Sequence, residues 1–266
     1  MYREHFGLMH YPFGKTLEPD ELYDSKAMRQ AAARLQHLVE LRGIGLITGE
    51  PGSGKTTACR KLIDALHEGL FRVFYVPLST GNVMDAYKSI AWEMGLPTER
   101  SRAACYRVIR AEVTRLCAET KRTPILIVDE AHHLRNDVLE DLRLLTNYEL
   151  DSVNRLCLLF VGLVEIRRRL SMAVHESLEQ RIVLKHHMEA LERDELEAYL
   201  KHHIKRAGCE LPLFLPEAQE ALYQATNGLP RRVNRLAHYA LIAAASDRAK
   251  SVTAAHLEAA VGEVEP

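Results

Sequence analysis

The sequence lacks cysteine pairs, long apolar runs and low-complexity segments. Its five cysteines are scattered, with no CxxC pair, which argues against a disulfide framework or a zinc site and favours a reducing compartment. No window approaches the roughly 20 apolar residues of a membrane-spanning helix. The charged N-terminus has no apolar run of the kind that marks a signal peptide. We therefore expect a soluble, cytoplasmic protein that does not enter a membrane.

The chain also lacks an excess of charge of either sign. Lys and Arg number 35 and Asp and Glu 36 among 266 residues, for a formal net charge of −1. The global basic charge of many nucleic-acid-binding proteins is therefore missing, although a local basic face is compatible with these totals. The 47% hydrophobic content is enough for a packed core with a smaller appendage.

Short apolar runs alternate with amphipathic segments over the first 188 residues. The predicted strands are 44–48, 71–77, 125–128, 156–161 and 182–184. Because most of these runs are continuously apolar rather than alternating, they are typical of parallel strands covered on both faces. Strand–helix alternation of this kind predicts an α/β fold with a parallel sheet flanked by helices.

The remaining residues show only helical patterns. The predicted helices begin near Asp194, at Pro216, at Pro230 and just after Thr253. Proline at a first helical position and a threonine cap are common helix-start signals. We therefore predict two domains, an α/β core over residues 1–188 and a small all-helical domain over residues 189–266.

A phosphate-binding loop lies between the first predicted strand and the helix after it. Residues 49–57 read GEPGSGKTT and match G-x-x-x-x-G-K-[ST] in the required strand–helix context. The predicted nucleotide-binding residues of the loop are Gly49, Glu50, Pro51, Gly52, Ser53, Gly54, Lys55, Thr56 and Thr57. Lys55 would pair with β- and γ-phosphate oxygens, and Thr56 would hold Mg²⁺ through its hydroxyl. The loop therefore predicts ATP and Mg²⁺ as ligands.

An acidic pair follows the third predicted strand. Asp129 comes directly after four aliphatic residues, as expected of a carboxylate that holds Mg²⁺ through water. Glu130 is the natural general base for the attacking water. Such a pair can also cap a helix, but the upstream phosphate loop favours the catalytic interpretation.

The spacing of these motifs, followed by an all-helical region, resembles that of the AAA+ ATPases over nearly the whole chain. The resemblance implies a P-loop AAA+ core and a small helical lid domain. It also implies that ATP is hydrolysed at the interfaces of a homo-oligomeric ring or helical filament. Two arginines would then lie near the nucleotide, one inserted by a neighbouring subunit and one from the lid.

Two stretches fit these arginine roles. Arg181 stands immediately before the last predicted strand and is the candidate for the arginine inserted in trans. An ion pair within its own chain is the alternative, and the cluster at 167–169 competes for the role. In GLPRRVNRL, residues 228–236, Arg231 is the candidate lid arginine and Arg232 the fallback. A solvated helix face is the alternative for both.

One departure from the family pattern concerns its first sensor, a polar residue at the end of the strand after the Asp-Glu pair. Here that strand ends in Gly162 and Leu163, which offer neither amide nor hydroxyl. Asn147 is a substitute candidate. Either the backbone or a displaced side chain senses the nucleotide, or turnover is slow.

Several stretches together resemble one branch of the AAA+ proteins. They are YPFG at 11–14, GEPGSGKTT at 49–57, DEAHHL at 129–134, and the segments 142–162 and 228–241. The branch contains the ExeA-type secretion ATPases and the transposition ATPases TnsC, TniB and, more distantly, MuB. The last two segments resemble the transposon-associated members more closely.

This resemblance implies a regulator that oligomerises on double-stranded target DNA with ATP. Its further partners would be a transposase, which it recruits or activates, and a target-selection protein. The alternative is an ExeA-like ATPase that energises assembly of a secretion complex. Secretion-type relatives typically carry a membrane segment and a wall-binding domain after the ATPase, and because the 266 residues contain neither, we favour transposition.

In this branch, DNA contacts usually come from segments between the second and third core strands. That region is locally basic here and supplies Lys88, Arg100, Arg102, Arg107 and Arg110, of which the first four are the candidates. They would contact mainly phosphates, with little sequence preference and strong salt dependence. A solvated helix face is the alternative for each of them.

Two further features are a histidine pair and a tryptophan near a methionine. The adjacent histidines at 132–133 would point about 100° apart on a helix, so we predict no transition-metal site there. His132 could still help to position the catalytic loop. Trp92 and Met94 are predicted on the buried face of a helix, with a partner surface as the alternative.

Overall fold

The computed structural model describes residues 2–14, 17–77 and 82–264. Its strands are β1 (Ile44–Gly49), β2 (Phe71–Pro77), β3 (Thr123–Asp129), β4 (Cys157–Gly162) and β5 (Ile182–Met188). These strands form a parallel sheet in the order β2-β3-β4-β1-β5. The predicted parallel α/β sheet is confirmed.

The burial of each strand follows from its place in the sheet. Every residue of β1, β3 and β4, the three inner strands, is buried, which explains their continuously apolar sequences. β5 lies at the sheet edge and alternates buried with exposed residues up to Met188. The sequence prediction ended this strand early because its second half, KHHM, contains no apolar run.

The residues that the structure describes form twelve α-helices. They are α1 (Tyr2–His5), α2 (Lys26–Leu41), α3 (Lys55–Ala65), α4 (Val83–Glu93), α5 (Arg102–Ala118), α6 (Asn136–Leu145), α7 (Val164–Leu170), α8 (Glu176–Glu179), α9 (Leu196–Arg206), α10 (Pro216–Thr226), α11 (Pro230–Ser246) and α12 (Ala254–Val264). Pro216 and Pro230 open α10 and α11 as expected, because proline needs no N–H partner at a first helical position.

The chain divides into two compact units. The α/β unit comprises Gln30–Glu50 and Lys55–Met188, and the helical unit comprises Pro51–Gly54 with the described residues of Met1–Arg29 and Glu189–Pro266. Leu126, Leu158 and Phe160 lie in the core of the α/β unit. The core of the helical unit joins lid-region side chains such as Leu222 with Tyr2 from the N-terminal segment. The predicted domain division at residue 188 stays a proposal.

The prediction for Trp92 is wrong. The buried face of α4 consists of Ala86, Tyr87, Ile90 and Ala91, whereas Trp92 is 75% exposed. One residue after Ala91, the chain has turned by about 100° around the helix axis, which carries Trp92 out to solvent.

Candidate nucleotide-binding site

The loop between β1 and α3 has the backbone shape that a phosphate site requires. Gly52 and Gly54 have φ values of +86° and +99°, a left-handed region that glycine enters without steric cost. The loop leads directly into α3 at Lys55, so that backbone N–H groups gather at a helix N-terminus. Such a turn binds anions through N–H groups and the positive end of the helix dipole.

Two side chains of the loop are also suited to an anion. Ser53 is 2% exposed, and its Oγ has no hydrogen-bond partner among the described residues. Lys55 Nζ donates to the backbone carbonyls of Gly49 and Glu50, each at 2.9 Å. Lys55 is only 9% exposed, so its charge is held within the loop. The loop thus combines buried donors with a fixed positive charge.

The carboxylate of Asp129 is the centre of the site. It ends β3, is 4% exposed, and accepts hydrogen bonds on both oxygens. Thr56 Oγ1 donates to Oδ2 at 2.9 Å and the Tyr75 hydroxyl donates to the same oxygen at 2.7 Å. The backbone N–H of Glu130 donates to Oδ1 at 2.8 Å. Because three donors hold it, this buried carboxylate has one defined orientation.

Tyr75 is the residue that the sequence prediction missed. In the parallel register, Tyr75 of β2 pairs with Ile127 and Pro77 pairs with Asp129. Tyr75 therefore stands two residues before the partner of Asp129, on the same face of the sheet. Burial, and then the hydrogen bond to Asp129, raise the pKa of the Tyr75 hydroxyl well above its ordinary value. It therefore remains a donor.

Glu130 adopts an unusual backbone conformation. Its φ is 55°, a left-handed value that is uncommon for residues with a side chain and costs about 1 kcal/mol or more. The turn it makes leads into the 3-10 turn Ala131–His133. The Glu130 side chain is 56% exposed, in contrast to the buried Asp129. A strained, accessible carboxylate beside a buried one suits a base that must reach a water molecule.

The residues at this position fit Mg²⁺. Thr56 and Asp129 supply oxygen donors, which a hard divalent cation prefers. Because the Thr56 hydroxyl gives its hydrogen to Asp129, its lone pairs remain available for a cation. The second donor on the same oxygen, Tyr75, provides the kind of outer contact that orients metal-binding carboxylates.

Comparison with known proteins places the chain in a family. A family model described as AAA domain matches residues 37–170, half of the chain, including the phosphate loop and the Asp129–Glu130 pair.

This chain belongs to the AAA domain family.

The predicted AAA+ ATPase assignment is thereby confirmed at the level of the family. Its fold agrees with a solved structure, Cdc6p from Pyrobaculum aerophilum, with a TM-score of 0.72 and 19% identity over 95% of this chain and 70% of that one. At this identity the likeness shows the fold alone, an AAA core followed by a helical region.

Two named relatives correspond to the two branches of the sequence resemblance. General secretion pathway protein A of Aeromonas hydrophila is 34% identical over 247 residues, which are 92% of this chain and 45% of that protein. ATP-dependent target DNA activator B of Escherichia phage Mu is 26% identical over 129 residues, which are 48% of this chain and 39% of that protein. The chain spans less than half the length of either relative.

The predicted lid arginine contacts Gly52, a residue of the same unit. Within the helical unit, the backbone N–H of Arg231 donates to the carbonyl of Gly52 at 3.3 Å. A Cβ added at Gly52 would come within 2.5 Å of the Arg231 Cβ. The first turn of α11 therefore requires glycine at position 52. Arg232, the fallback, is exposed one residue further along α11.

The arginine predicted to act in trans has a partner in its own chain. Arg181 forms an ion pair with Asp151, and its side chain is 26% exposed. In the competing cluster at 167–169, one arginine is bound to the backbone and two are exposed. Arg169 donates to the carbonyls of His132 and Leu134, which ties α7 to the turn after β3, whereas its neighbours in the cluster are exposed.

The end of β4 is apolar but adjoins a histidine. The backbone N–H of Leu163 donates to His132 Nδ1 at 3.3 Å. Asn147, the predicted substitute sensor, accepts instead from Arg110 through its backbone carbonyl, and Arg110 stacks on the Tyr148 ring at 4.0 Å. Asn147 therefore contacts a different cluster of residues from His132.

One of the four residues predicted to contact DNA, Arg102, forms an ion pair within the α/β unit. Lys88 on α4, Arg100 before α5 and Arg107 on α5 are exposed. Arg102 forms an ion pair with the buried carboxylate of Asp141 on α6, which fastens the start of α5. Arg102 is exposed as well, with 60% of its side chain accessible, so all four DNA contacts stay predictions.

Neighbouring carboxylate and imidazole groups meet in the turn after β3. Ligand atoms of Glu130, His132 and His133 lie within 4.8 Å of one another, and the two imidazole centroids are 4.0 Å apart. The 3-10 turn brings the adjacent rings closer than an α-helix would. His132 Nδ1, however, already accepts the Leu163 N–H, so that this nitrogen is engaged.

Among the described residues, no helix is both long and apolar enough to cross a membrane.

Proposed function

We propose that this AAA domain hydrolyses ATP with Mg²⁺, assembles with copies of itself while ATP is bound, and regulates transposition by marking duplex DNA for a transposase. The observation that carries the hydrolytic part is the contact of Thr56 with Asp129, at 2.9 Å, beside Glu130 and the phosphate loop. This combination supplies an anion site, oxygen donors for a cation and an accessible base.

Each residue has a separate task in this proposal. A bound Mg²⁺ would neutralise charge on the phosphate oxygens. Loop N–H groups and Lys55 bind the phosphates, and Thr56 and Asp129 hold the metal. Glu130 orients the attacking water and accepts its proton. Arg231, whose backbone lies against Gly52, contributes a further positive charge next to the loop.

Assembly would place a neighbour's Arg181 at the phosphates. Its contact with Asp151 is then the resting arrangement, which Arg181 exchanges for the phosphate when subunits meet. Both side chains are partly exposed, so the pair stabilises the fold by about 1 kcal/mol or less. An exchange of this ion pair for a contact with phosphate is therefore energetically accessible.

Two observations support a role on DNA. The relative from phage Mu is named a target DNA activator, and its match includes 129 residues of this chain. In addition, Lys88, Arg100 and Arg107 are exposed on α4, α5 and their connection. Exposed cations of this kind bind phosphates without reading the sequence of bases.

Assembly of a secretion complex is the second candidate function. The match to General secretion pathway protein A is higher in identity and extends over 92% of the chain, thus over both units. The match to the DNA activator covers 48%.

ATP-dependent assembly is the first experiment. Purified protein is mixed with Mg·ATP or a non-hydrolysable analogue, with and without duplex DNA, and examined by light scattering and electron microscopy at low salt. We expect rings or helical filaments for the wild type and for Glu130→Gln, and none for Lys55→Ala. A wild type that stays monomeric under all these conditions would contradict the proposal.

The role of Arg181 is tested with its partner as the matched control. If Arg181 acts in trans, Arg181→Ala loses assembly-dependent hydrolysis, whereas Asp151→Asn keeps it because the arginine is released. Mixing Arg181→Ala with Lys55→Ala should restore part of the activity, since one class of interface is intact. Equal losses in Arg181→Ala and Asp151→Asn, without rescue on mixing, would assign the pair a structural role only.

The salt dependence of DNA binding distinguishes the two candidate functions. A triple variant, Lys88→Ala, Arg100→Ala and Arg107→Ala, should lower the slope of log affinity against log salt by about 2.7, or roughly 0.9 per lost phosphate contact. A charge-matched triple at other exposed sites, Arg34, Lys201 and Lys250, should lower it far less. Absence of ATP-dependent DNA binding by the wild type would favour the secretion function.

A further inference from the structure

The turn after β3 supplies a polar group at the place where β4 has none. His132 lies in the 3-10 turn Ala131–His133, and the Leu163 N–H at the end of β4 donates to its Nδ1 at 3.3 Å. Its Nδ1 is also 3.5 Å from Glu130 Oε2, and the His132 side chain is only 9% exposed. One imidazole therefore touches both the end of β4 and the predicted base.

The hydrogen bond defines the chemical form of the ring. Because Nδ1 accepts the N–H of Leu163, the proton of the neutral imidazole resides on Nε2. Burial, then His133, lower the pKa of His132, and Lys55 lowers it further, whereas Glu130 and Glu165 oppose the shift. The ring is thus neutral, and it lies within electrostatic reach of the lysine that binds phosphate.

The position of the ring is fixed from two other sides. Arg169 donates to the carbonyl of His132 at 2.9 Å, which anchors the backbone of the turn to α7. At Gly162, an added Cβ would stand 3.2 Å from the backbone nitrogen and 3.4 Å from the Nδ1 of His132. Glycine therefore leaves the space that the imidazole uses, and a strand side chain there would compete with it.

We propose that His132 is a positioning residue for ATP hydrolysis, coupling the end of β4 to Glu130 in the place of a polar side chain on β4. The inference rests on the proposed ATPase function. The neutral ring, held by Leu163, occupies the space on one side of the Glu130 carboxylate. Its unprotonated Nδ1 cannot donate to that carboxylate and disfavours orientations that bring Oε2 closer, so the ring limits the orientation of the base without neutralising it. His132 therefore affects the orientation of the base and leaves phosphate binding, which the loop performs, nearly unchanged.

The first test separates turnover from binding. His132→Ala should lower kcat by roughly 10- to 100-fold, the usual range for loss of an orienting outer contact, and change the Kd for a fluorescent ATP analogue by less than about threefold. His132→Asn, whose Oδ1 can accept the Leu163 N–H, should restore much of kcat. His133→Ala, at the exposed neighbour, is the matched control and should resemble the wild type.

The second test needs neither nucleotide nor metal. Nitrogen-15 NMR of the ligand-free protein, with His132 assigned by comparison with His132→Asn, should show an unprotonated Nδ1 and a protonated Nε2. Leu163→Pro removes the N–H donor, and the φ of −78° at Leu163 is compatible with proline. It should shift the Nδ1 resonance and lower kcat, whereas Leu163→Ala, which keeps the N–H, should do neither.

The third test moves the polar group back to the strand. Gly162→Asn should impair the wild type, because the new side chain meets His132. The same substitution in the His132→Ala background should instead raise kcat above that of His132→Ala alone. Such a reversal of sign measures coupling between the two positions and is not expected of a purely structural histidine.

The outcomes separate this inference from the proposed function. If the wild type has no ATPase activity, the proposed function fails, and the NMR tautomer and its response to Leu163→Pro decide whether the His132 contact exists. If the wild type is active but His132→Ala has the wild-type kcat, the positioning role is overturned. It is also overturned if His132→Ala lowers kcat and the affinity for the ATP analogue to the same extent and destabilises the protein. A protonated Nδ1 in the ligand-free protein also overturns it.

Discussion

Replacing Tyr75 by phenylalanine tests whether the second strand contributes to the nucleotide site. The change removes one hydroxyl, which donates to Asp129 Oδ2 at 2.7 Å, and keeps the ring. Asp129 is 4% exposed, so water cannot fully replace the lost donor. The remaining partners are the Thr56 hydroxyl on the same oxygen and the Glu130 N–H on the other.

The expected magnitude follows from the charge of the acceptor. A hydrogen bond to a charged group contributes about 1.5–3 kcal/mol, against about 1 kcal/mol for a neutral pair. We therefore expect Tyr75→Phe to lower the free energy of unfolding by about 2 kcal/mol. Because Asp129 then loses part of its orientation, the Mg²⁺ concentration for half-maximal ATPase activity should rise by roughly 10-fold or more.

Urea unfolding followed by circular dichroism measures the first effect, and a magnesium titration of the ATPase rate measures the second. Tyr199→Phe is the matched control, since its buried hydroxyl donates at 2.7 Å to the neutral side-chain amide oxygen of Asn234. It should cost about 1 kcal/mol or less and leave the magnesium dependence unchanged. If Tyr75→Phe keeps wild-type stability and wild-type magnesium dependence, the Tyr75 hydroxyl does not support Asp129.

Three further predictions concern the loop and the helical unit. Gly52→Ala should abolish ATP binding in a nucleotide-binding assay, because the added methyl group clashes with Arg231 and the φ of this residue is unfavourable for alanine. The control is Gly95→Ala, at φ +72° with nothing within 4 Å. It should lower the free energy of unfolding by only about 1 kcal/mol and bind ATP normally. Lys55→Ala should lower ATP affinity at least 10-fold by calorimetry, since a charged contact of about 1.5–3 kcal/mol is lost. Burial lowers the pKa of His203 to about 4. Because the unfolded chain takes up the proton at a higher pH than the folded chain, the free energy of unfolding should fall by about 3 kcal/mol as pH drops from about 6.5 to about 4. Urea titrations at several pH values measure this dependence, and His203→Gln should remove it.

Local patterns were sufficient to predict much of the site. The nine consecutive residues 49–57 predict a turn that binds phosphate between a strand and a helix. The prediction needs no distant residue, because the spacing of the glycines and the start of the helix are both visible within this stretch. Asp129 follows an apolar run for a similarly local reason, since the polar residue comes where a buried strand ends. In both cases the residues concerned are close together in the chain.

Predictions for single side chains outside these motifs were less successful. Trp92 was expected in the core on hydrophobicity alone, yet its position on α4 turns it to solvent. Arg102 is exposed, as the prediction of a DNA contact requires, but its ion pair with the buried carboxylate of Asp141 could not be predicted. Both outcomes depend on which face of a helix packs against its neighbours. A single amphipathic segment does not specify that face when polar and apolar residues are interspersed.

The class of fold, the phosphate loop and the acidic pair are predictable from short stretches of sequence, because their signals lie in consecutive residues. The hydrogen bonds of Tyr75 to Asp129 and of the Leu163 N–H to His132 exist only once the sheet has formed. Tyr75 requires the register of β2 against β3, and His132 requires β3 and β4 to be neighbours. Strand order and register arise from the packing of the whole sheet, so residues 31 to 54 positions apart meet without any local signal.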